Sequence, residues 1–166
     1  MSRGFRSGLL LATVLVLLAV DQMTKHWAYS SLVPGSSMSL PGPVGLTLVL
    51  NRSNAFGVVP DFGEATRWVL AALNLAVASA MAYLVWRREQ AGAALLAAAF
   101  IAAGAIGNAI DRVWLGAVID MFDASEVGFH WVFNVADVSI DVGIGLWLLA
   151  GVQGNAGRRP EQAPSI

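Results

Sequence analysis

The sequence predicts an all-α membrane protein, a bundle of four transmembrane helices. The chain has 166 residues, of which 57% are hydrophobic and only 13% are charged, and its mean hydropathy is +0.65. Soluble globular domains carry about 25% charged residues. Four apolar stretches also come close to the roughly 20 residues that a spanning helix needs. Composition and stretch length together indicate an integral membrane protein.

The four stretches differ in where their charged residues lie. The predicted spans are residues 8–27, 68–86, 91–110 and 135–152. The second and third are free of charge, whereas the first includes Asp21 and Lys25, and the fourth carries Asp137 and Asp141 near its start. An ionised side chain against hydrocarbon costs several kcal/mol. We therefore expect these residues to lie near one membrane face or inside a protein-lined cavity.

The basic residues predict the orientation in the membrane. Six of the ten Lys and Arg residues flank the same ends of the spans: Arg3, Arg6, Arg87, Arg88, Arg158 and Arg159. The positive-inside rule makes that side cytoplasmic. Both termini are then cytoplasmic, and the connecting segments 28–67 and 111–134 face outward. Residues 1–153 are predicted to form a single membrane domain, followed by a flexible cytoplasmic tail over residues 154–166.

The first span has an alternative interpretation as a cleaved signal peptide. Arg3 and Arg6 precede an apolar stretch, and the run Ala28-Tyr29-Ser30 offers a small-residue cleavage context. Cleavage would leave three spans and move the amino terminus outside. Asp21 and Lys25, just past the apolar stretch, favour a retained helix end instead.

Absent or scarce residue types exclude several kinds of chemistry. Cysteine is absent, which excludes disulfides, thiol catalysis and a lipid-modified cysteine on this chain itself. The formal net charge of −1 indicates no bulk electrostatic partner, and nothing supports nucleic-acid binding. Two histidines, His26 and His130, are too few ligands for a zinc site. No nucleophile motif surrounds Ser125 or Ser139, which argues against a serine mechanism.

The first outward segment contains a predicted strand. The run Leu46-Thr47-Leu48-Val49-Leu50 is rich in strand-forming residues, and it is followed by the polar turn-formers Asn51-Arg52-Ser53-Asn54. This pattern predicts a small sheet outside the membrane.

The outward end of the third span carries a polar cluster. An Ala- and Gly-rich helix changes within one or two turns to Asn108, Asp111 and Arg112. Asn108 and Arg112 are four residues apart and should share a helix face. A helix end whose charges are merely solvated or paired is one interpretation of this cluster, and a functional site is the other.

Asp120 and Asp137 are the two carboxylates whose convergence would create acid/base chemistry. Asp120 ends the stretch 116–120, and Asp137 stands at the head of the fourth apolar run. Two carboxylates within a few ångströms of each other cannot both ionise cheaply, so one keeps a proton while the other acts as a base. Such a pair can activate a water that attacks a scissile carbonyl. This chemistry requires no metal or cofactor.

Other acidic residues support different classes of function. Asp141 lies one helical turn after Asp137 on the same face, so this pair suits the proton relay of a small transporter. Asp123 and Glu126 are expected in a solvated loop. A third class is a non-catalytic four-span assembly factor, in which no carboxylate matters beyond stability.

Five segments, read in order, resemble one family. They occur in the order and topology of the lipoprotein signal peptidases, the type II signal peptidases of bacteria. The segments are Asp21 to Lys25, Asn51 to Gly57, Gly107 to Arg112, Val118 to Phe122 and Phe133 to Asp137. The resemblance covers nearly the whole chain apart from the tail.

The resemblance implies an aspartyl endopeptidase of the bacterial cytoplasmic membrane. Such an enzyme cuts the signal peptide from prolipoproteins just before a diacylglyceryl-modified cysteine, near the outer leaflet. The motif positions imply Asp120 and Asp137 as the catalytic pair. They imply substrate-binding or site-supporting roles for Asn51, Asn54, Asn108, Arg112 and Asn134, and structural polar roles for Asp21, Lys25 and Asp111. The family fold adds a small extracytoplasmic sheet and a short surface helix to the four-helix bundle, and a monomer suffices for the mechanism.

One motif departs from the usual family form. The family commonly has Asn-x-Gly-Ala-Ala-Phe, where this chain has Ser53 in place of the Gly and Asn54 in place of the first Ala. A glycine with positive φ at that position would leave Ser53 with a conformational penalty, whereas Asn54 tolerates such geometry better. The departure affects the loop shape and substrate contact, and it leaves the catalytic pair untouched.

Overall fold

The protein is a four-helix bundle with a small sheet at one end. The computed structural model describes residues 2–53, 63–88 and 92–156, without the side chains of residues 88 and 153–156. The helices are α1 (Arg3–Ser31), α2 (Glu64–Arg88), α3 (Ala93–Leu115) and α4 (Val135–Ala156). All four are long and apolar enough to cross a membrane. Large apolar side chains such as Leu15, Val69 and Leu148 are exposed on the helices, as expected where lipid covers the protein. The predicted membrane bundle is confirmed.

Helix α3 lies at the centre of the bundle. In its most apolar window 67% of the residues are buried, against 11%, 22% and 17% in α1, α2 and α4. Gly104 of α3 faces the carbonyl oxygen of Ala136 so closely that a methyl group would overlap it, and Gly143 of α4 packs against Ala97 and Ile101 of α3. Small residues permit this approach where lipid provides no hydrophobic drive. The start of α4 is therefore held tightly against α3.

The helices extend beyond the spans predicted from hydropathy. Helix α3 continues to Leu115, so Asp111 and Arg112 are helical instead of lying in the outward segment predicted to begin at residue 111. Gly116 ends the helix with φ of 79°, and its N–H donates to the carbonyl of Arg112, as a left-handed C-terminal residue does. Helix α4 reaches Ala156, three residues past the predicted domain end. The rest of the predicted tail lies outside the described residues.

The sheet is antiparallel and contains the strand predicted from the first outward segment. Its strands, in spatial order, are β1 (Ser37–Met38), β2 (Gly45–Asn51), β3 (Val118–Asp123) and β4 (Val132–Phe133). Val49 pairs with Asp120, and Asn51 pairs with Val118. Asn51 and Asp120 are thus diagonal neighbours on one face of the sheet.

The sheet packs one face on the end of α1. Ala28, Leu46, Leu48, Ile119 and Met121 form a buried apolar cluster there. Because side chains alternate along a strand, Asp120, between Ile119 and Met121, faces away from this cluster. A short, exposed 3-10 helix (Ser125–Val127) lies between β3 and β4.

Candidate active site

Asp120 is a buried carboxylate in the middle of β3. It is 2% exposed, and both of its oxygens accept hydrogen bonds from side-chain amides. The Nδ2 of Asn134 donates to Oδ1 at 2.6 Å, and the Nδ2 of Asn51 donates to Oδ2 at 3.0 Å. These two donors satisfy both oxygens of a carboxyl group that is almost fully buried.

Asp137 is fixed by the amino-terminal cap of α4. The Oδ1 of Asn134 accepts a hydrogen bond from the backbone N–H of Asp137 at 3.0 Å, and the Oδ2 of Asp137 accepts one from the backbone N–H of Asn134 at 3.3 Å. This is the reciprocal geometry of a capping box. The Oδ1 of Asp137 also accepts a hydrogen bond from Nδ2 of Asn108 at 2.9 Å.

The two carboxylates line one cavity. It has a volume of about 220 Å³ and lies between α2, α3, the start of α4 and the β2–β3 ribbon. Its polar lining consists of Asn51, Asn74, Asn108, Arg112, Asp120 and Asp137. Leu70, Leu73, Val118 and Ile140 supply the apolar walls. Asp120 and Asp137 therefore face the same space, and Asn134 is hydrogen-bonded to both.

Three asparagine amides at the site have only one orientation that satisfies their partners. The oxygen of each accepts from a group that can only donate: the backbone N–H of Ser53 for Asn51, the ammonium of Lys25 for Asn108, and the backbone N–H of Asp137 for Asn134. The NH₂ group of each must then point the other way. All three NH₂ groups donate to a carboxylate of the pair.

The environment of Asp120 favours its protonated form near neutral pH. Burial raises the pKa of Asp120 to about 7, and the negative charge of Asp137 acts in the same direction. The hydrogen bonds from Asn51 and Asn134 act in the opposite direction because they stabilise the anion. Asp120 is thus a group that holds a proton at a pH where an ordinary aspartate has lost it.

A buried ion cluster supports the site from behind. Lys25 is 1% exposed and makes salt bridges of 2.9 Å to both Asp21 and Asp111. The Oδ1 of Asp21 accepts a hydrogen bond from the backbone N–H of Ala136 at 2.8 Å, in the first turn of α4. Lys25 also donates to Asn108 at 3.0 Å. The cluster ties α1 and α3 to the start of α4 and orients the amide that contacts Asp137.

Two arginines connect α3 to its neighbours. The Nη2 of Arg112 donates to the carbonyl of Ser53 at 2.9 Å, and the charge of Arg112 attracts both Asp120 and Asp137. Arg67 of α2 donates to the carbonyls of Arg112 and Val113 at 2.7 Å each. These carbonyls lie in the last turn of α3, where backbone donors are scarce and only the capping N–H of Gly116 reaches the Arg112 carbonyl. Arg67 therefore fixes the carboxyl end of α3 beside the cavity.

Most of the candidate residues come together, and a few lie elsewhere. Asn54 lies outside the described residues. Asp141 is exposed and lines a neighbouring apolar cavity with Phe129, Trp131 and Asp137. Asp123 is bound to Thr47 and to the backbone of Ser125, and the hydrogen bonds from Ser125 lower the pKa of Asp123. No group of three or more His, Cys, Asp or Glu that could hold a metal ion occurs in the described part of the chain.

Three polar residues near the site are not among the site residues predicted from the sequence. Gln22 donates to both Asp21 and Asp111 at 3.1 Å. It lies within the family segment Asp21 to Lys25, and this position could have indicated that it binds the buried carboxylates. Asn74 is a polar residue within a charge-free span, a signal that hydropathy alone overlooks. Nothing in the sequence indicates that Arg67 binds the end of α3.

Fold and site together define a multi-pass membrane protein with a carboxylate-lined cavity at the sheet-bearing end of its helix bundle. The sequence profile described as signal peptidase (SPase) II matches residues 13–153. The chain belongs to the signal peptidase II family and is therefore a peptidase.

Curated relatives agree with this membership, and solved structures share the fold. The lipoprotein signal peptidase of Caulobacter vibrioides is 41% identical over 143 residues, covering 83% of each chain. That of Methylorubrum extorquens is 40% identical over 146 residues, covering 85% of this chain and 82% of the relative. A bacterial membrane enzyme structure obtained by the in meso method at 2.3 Å superposes with a TM-score of 0.82 at 24% identity, covering 95% of each chain, and shows the same fold. A second such structure, at 1.9 Å, gives a TM-score of 0.77 at 26% identity and covers 88% of this chain and 94% of that one.

Proposed function

We propose that this protein is an aspartic endopeptidase that removes signal peptides from diacylglyceryl-modified prolipoproteins. Family membership and the names of the relatives support the substrate class. The observation that carries the aspartic mechanism is that Asp120 and Asp137 line one cavity and share the hydrogen-bonding partner Asn134. A serine or thiol mechanism has no comparable support: Cys is absent, and the hydroxyl of Ser139 donates to the carbonyl of Val135 within its own helix.

The reaction begins with a water held between the two carboxylates. The ionised carboxylate takes a proton from this water, and the resulting oxygen nucleophile attacks the scissile carbonyl carbon. The protonated carboxyl donates its proton to the carbonyl oxygen as negative charge develops there. Collapse of the tetrahedral gem-diol intermediate breaks the C–N bond, and the leaving nitrogen takes a proton from the carboxyl that received one from water. As the product carboxyl group forms, one hydroxyl of the diol returns a proton to the carboxylate that had protonated the carbonyl oxygen. The pair ends the cycle with one shared proton, as it began.

We assign the shared proton of the resting pair to Asp120. Its pKa of about 7 reflects burial in the sheet, where no helix end stabilises the anion. Asp137 lies in the first turn of α4, and the positive end of a helix dipole favours a carboxylate. Asp137 is then the base that activates the water, and Asp120 is the acid that protonates the carbonyl oxygen. The pair titrates as a unit, so this assignment describes its dominant protonation state.

The proposed location of the reaction is the outer surface of the cytoplasmic membrane. This location is supported by arginines at the opposite end of the bundle, such as Arg3, Arg6 and Arg87, because the positive-inside rule favours a cytoplasmic side for that end. The sheet and the cavity then lie near the outer leaflet, where the acyl chains of a lipidated precursor reside. The same orientation makes both termini cytoplasmic. One chain carries every residue of the proposed mechanism, so the proposed active form is a monomer.

A cleavage assay with purified protein tests this proposal. The protein is incubated in lipid vesicles with a diacylglyceryl-modified precursor and with the same precursor lacking the lipid, and products are separated on a gel. Cleavage restricted to the lipidated precursor is the expected result. No cleavage of either precursor, or equal cleavage of both, would contradict the proposed substrate class.

A further inference from the structure

Two buried side-chain nitrogens in the described part of the chain have no hydrogen-bond partner. They are the Nδ2 of Asn74 and the Nε of Arg112. Both residues line the cavity that contains Asp120 and Asp137. Buried polar atoms are almost always satisfied in folded proteins, and each exception requires an explanation. Two exceptions at one cavity identify it as a place where a water or a group of a bound molecule can supply the missing acceptors.

Asn74 reaches the cavity from a helix that otherwise contributes only apolar groups to it. Leu70, Leu73 and Asn74 line the cavity from α2, on a face formed by residues three and four apart. An unpaired amide within a membrane span is unfavourable, because hydrocarbon offers it no hydrogen-bonding partner. A leucine at position 74 would remove this cost, so the amide is best explained by a partner that binds there.

The amide of Asn74 also differs from the other amides at the site in its freedom to turn. Asn51, Asn108 and Asn134 each have the oxygen fixed by an obligate donor. No hydrogen bond within the described residues fixes the amide of Asn74. Its N–H and C=O groups are therefore both available, in either orientation, to a molecule that enters the cavity.

We infer that Asn74 is a substrate-binding residue that hydrogen-bonds to the main chain of the peptide beside the scissile bond. This inference rests on the proposed peptidase function and adds to it a contact from α2. A peptide must be extended to present its carbonyl to a carboxylate pair, and an extended main chain has lost its helical hydrogen bonds. At membrane depth those groups need protein partners. A primary amide matches the N–H and C=O of a peptide unit, and the Nε of Arg112 offers a second donor for a neighbouring carbonyl.

The experiment compares the wild type with Asn74→Ala and Asn74→Leu, using a synthetic lipopeptide that spans the cleavage site. The alanine removes the amide without adding bulk, and the leucine restores the volume. Ser79→Ala is the matched control, because it also removes a polar group from α2, but one that is exposed and bonded to its own helix at Leu75. Losing one main-chain contact should raise KM about tenfold with kcat nearly unchanged. Melting temperatures should stay equal or rise, since an unpaired amide is removed.

A main-chain ester scan of the lipopeptide separates substrate contact from an indirect effect. Each amide near the scissile bond is replaced in turn by an ester, whose carbonyl is a weaker acceptor and which has no N–H. One ester should lower kcat/KM in the wild type and in Ser79→Ala but have no further effect in Asn74→Ala, as coupled partners do in a double-mutant cycle. Equal KM values in the wild type and both Asn74 variants, or ester effects identical in all proteins, would overturn the inference. An inactive wild type would instead refute the proposed function itself.

Discussion

Asn134 and Asp137 cap each other at the start of α4, with hydrogen bonds of 3.0 and 3.3 Å in opposite directions. The remaining donor of Asn134 lies 2.6 Å from Asp120. A local device for starting a helix thus also fixes one carboxylate of the pair relative to the other. This explains how a strand and a helix that are separate in sequence present their acidic groups to a single cavity.

The proposed mechanism predicts that both carboxylates are essential. Asp120→Asn and Asp137→Asn should each reduce kcat for a lipidated precursor by about 10²–10⁴-fold, because an amide can neither accept nor donate the transferred proton. Both variants should remain folded, since asparagine is nearly isosteric with aspartate. Initial cleavage rates and melting curves in vesicles or detergent provide the measurement.

Two neighbouring aspartates serve as controls for this prediction. Asp123→Asn changes the same strand outside the cavity, and Asp141→Asn changes the residue that a proton-relay transporter would use. Both should retain cleavage activity. Full activity in Asp120→Asn or Asp137→Asn would remove the assignment of the pair, and proton flux into vesicles that is lost only in Asp141→Asn would favour a transporter.

Activity should fall as the pH rises above about 7. The pKa of Asp120 is raised to about 7, and the proposed mechanism needs this carboxyl in its protonated form. Asn51→Ala removes a donor that stabilises the Asp120 anion, so it should raise this pKa further and move the alkaline limb of the profile to higher pH. The measurement is kcat/KM against pH for both proteins. An alkaline limb that stays in place or moves to lower pH would show that Asp120 is not the group titrating there.

Stability should also depend on the titration of Asp120. Its folded-state pKa of about 7 exceeds the ordinary value of 3.8, so the fold favours the neutral carboxyl. The corresponding stability is fully present below about pH 4 and is lost as the pH rises to about 7. Asp120→Asn, which cannot ionise, should lose less stability over this interval than the wild type. Melting temperatures measured from pH 4 to pH 8 test this difference, and parallel curves would contradict it.

The close approach of α3 and α4 predicts a strong effect of one added methyl group. Gly104→Ala would place a Cβ against the carbonyl oxygen of Ala136, forcing the start of α4 away from α3. We expect a stability loss of about 1–3 kcal/mol and a fall in kcat, because Asp137 moves with the helix. Gly145→Ala on α4 is the matched control, since its Cβ would meet nothing within 4 Å. Equal melting temperatures and rates in the two variants would argue against this tight contact.

Lys25 should be the most sensitive position outside the cavity. Lys25→Met leaves Asp21 and Asp111 buried without their cation, and breaking a buried ion pair in this way costs about 3–5 kcal/mol. Adding Asp111→Asn to Lys25→Met removes one uncompensated charge and should recover part of the loss. Melting temperatures of the two proteins provide the test. A double variant no more stable than Lys25→Met would contradict the charge argument.

The sequence by itself determined the membrane class, the four helices and the strand at 46–50. These features depend on hydropathy and residue type along a short stretch of chain, so local patterns predict them. The ordered motifs also identified the family and named the candidate residues from Asp21 to Asp137. The sequence predicted the helix ends less well. Helix α3 continues past its apolar run to Leu115, where Gly116 ends it and Arg67 of α2 binds two of its last carbonyls.

Only the tertiary structure decided how these residues meet. Lys25 of α1 forms a salt bridge with Asp111 of α3, and Asn134 is hydrogen-bonded to both Asp120 and Asp137. Asn74 lines the cavity although it belongs to a span whose sequence is free of charge and typical of a lipid-facing helix. The first and the last of these features join elements distant in sequence, and the links made by Asn134 join a strand to a helix that begins shortly after it. Hydropathy records how much a residue prefers lipid, whereas the direction of a side chain and the identity of its partner follow from packing alone.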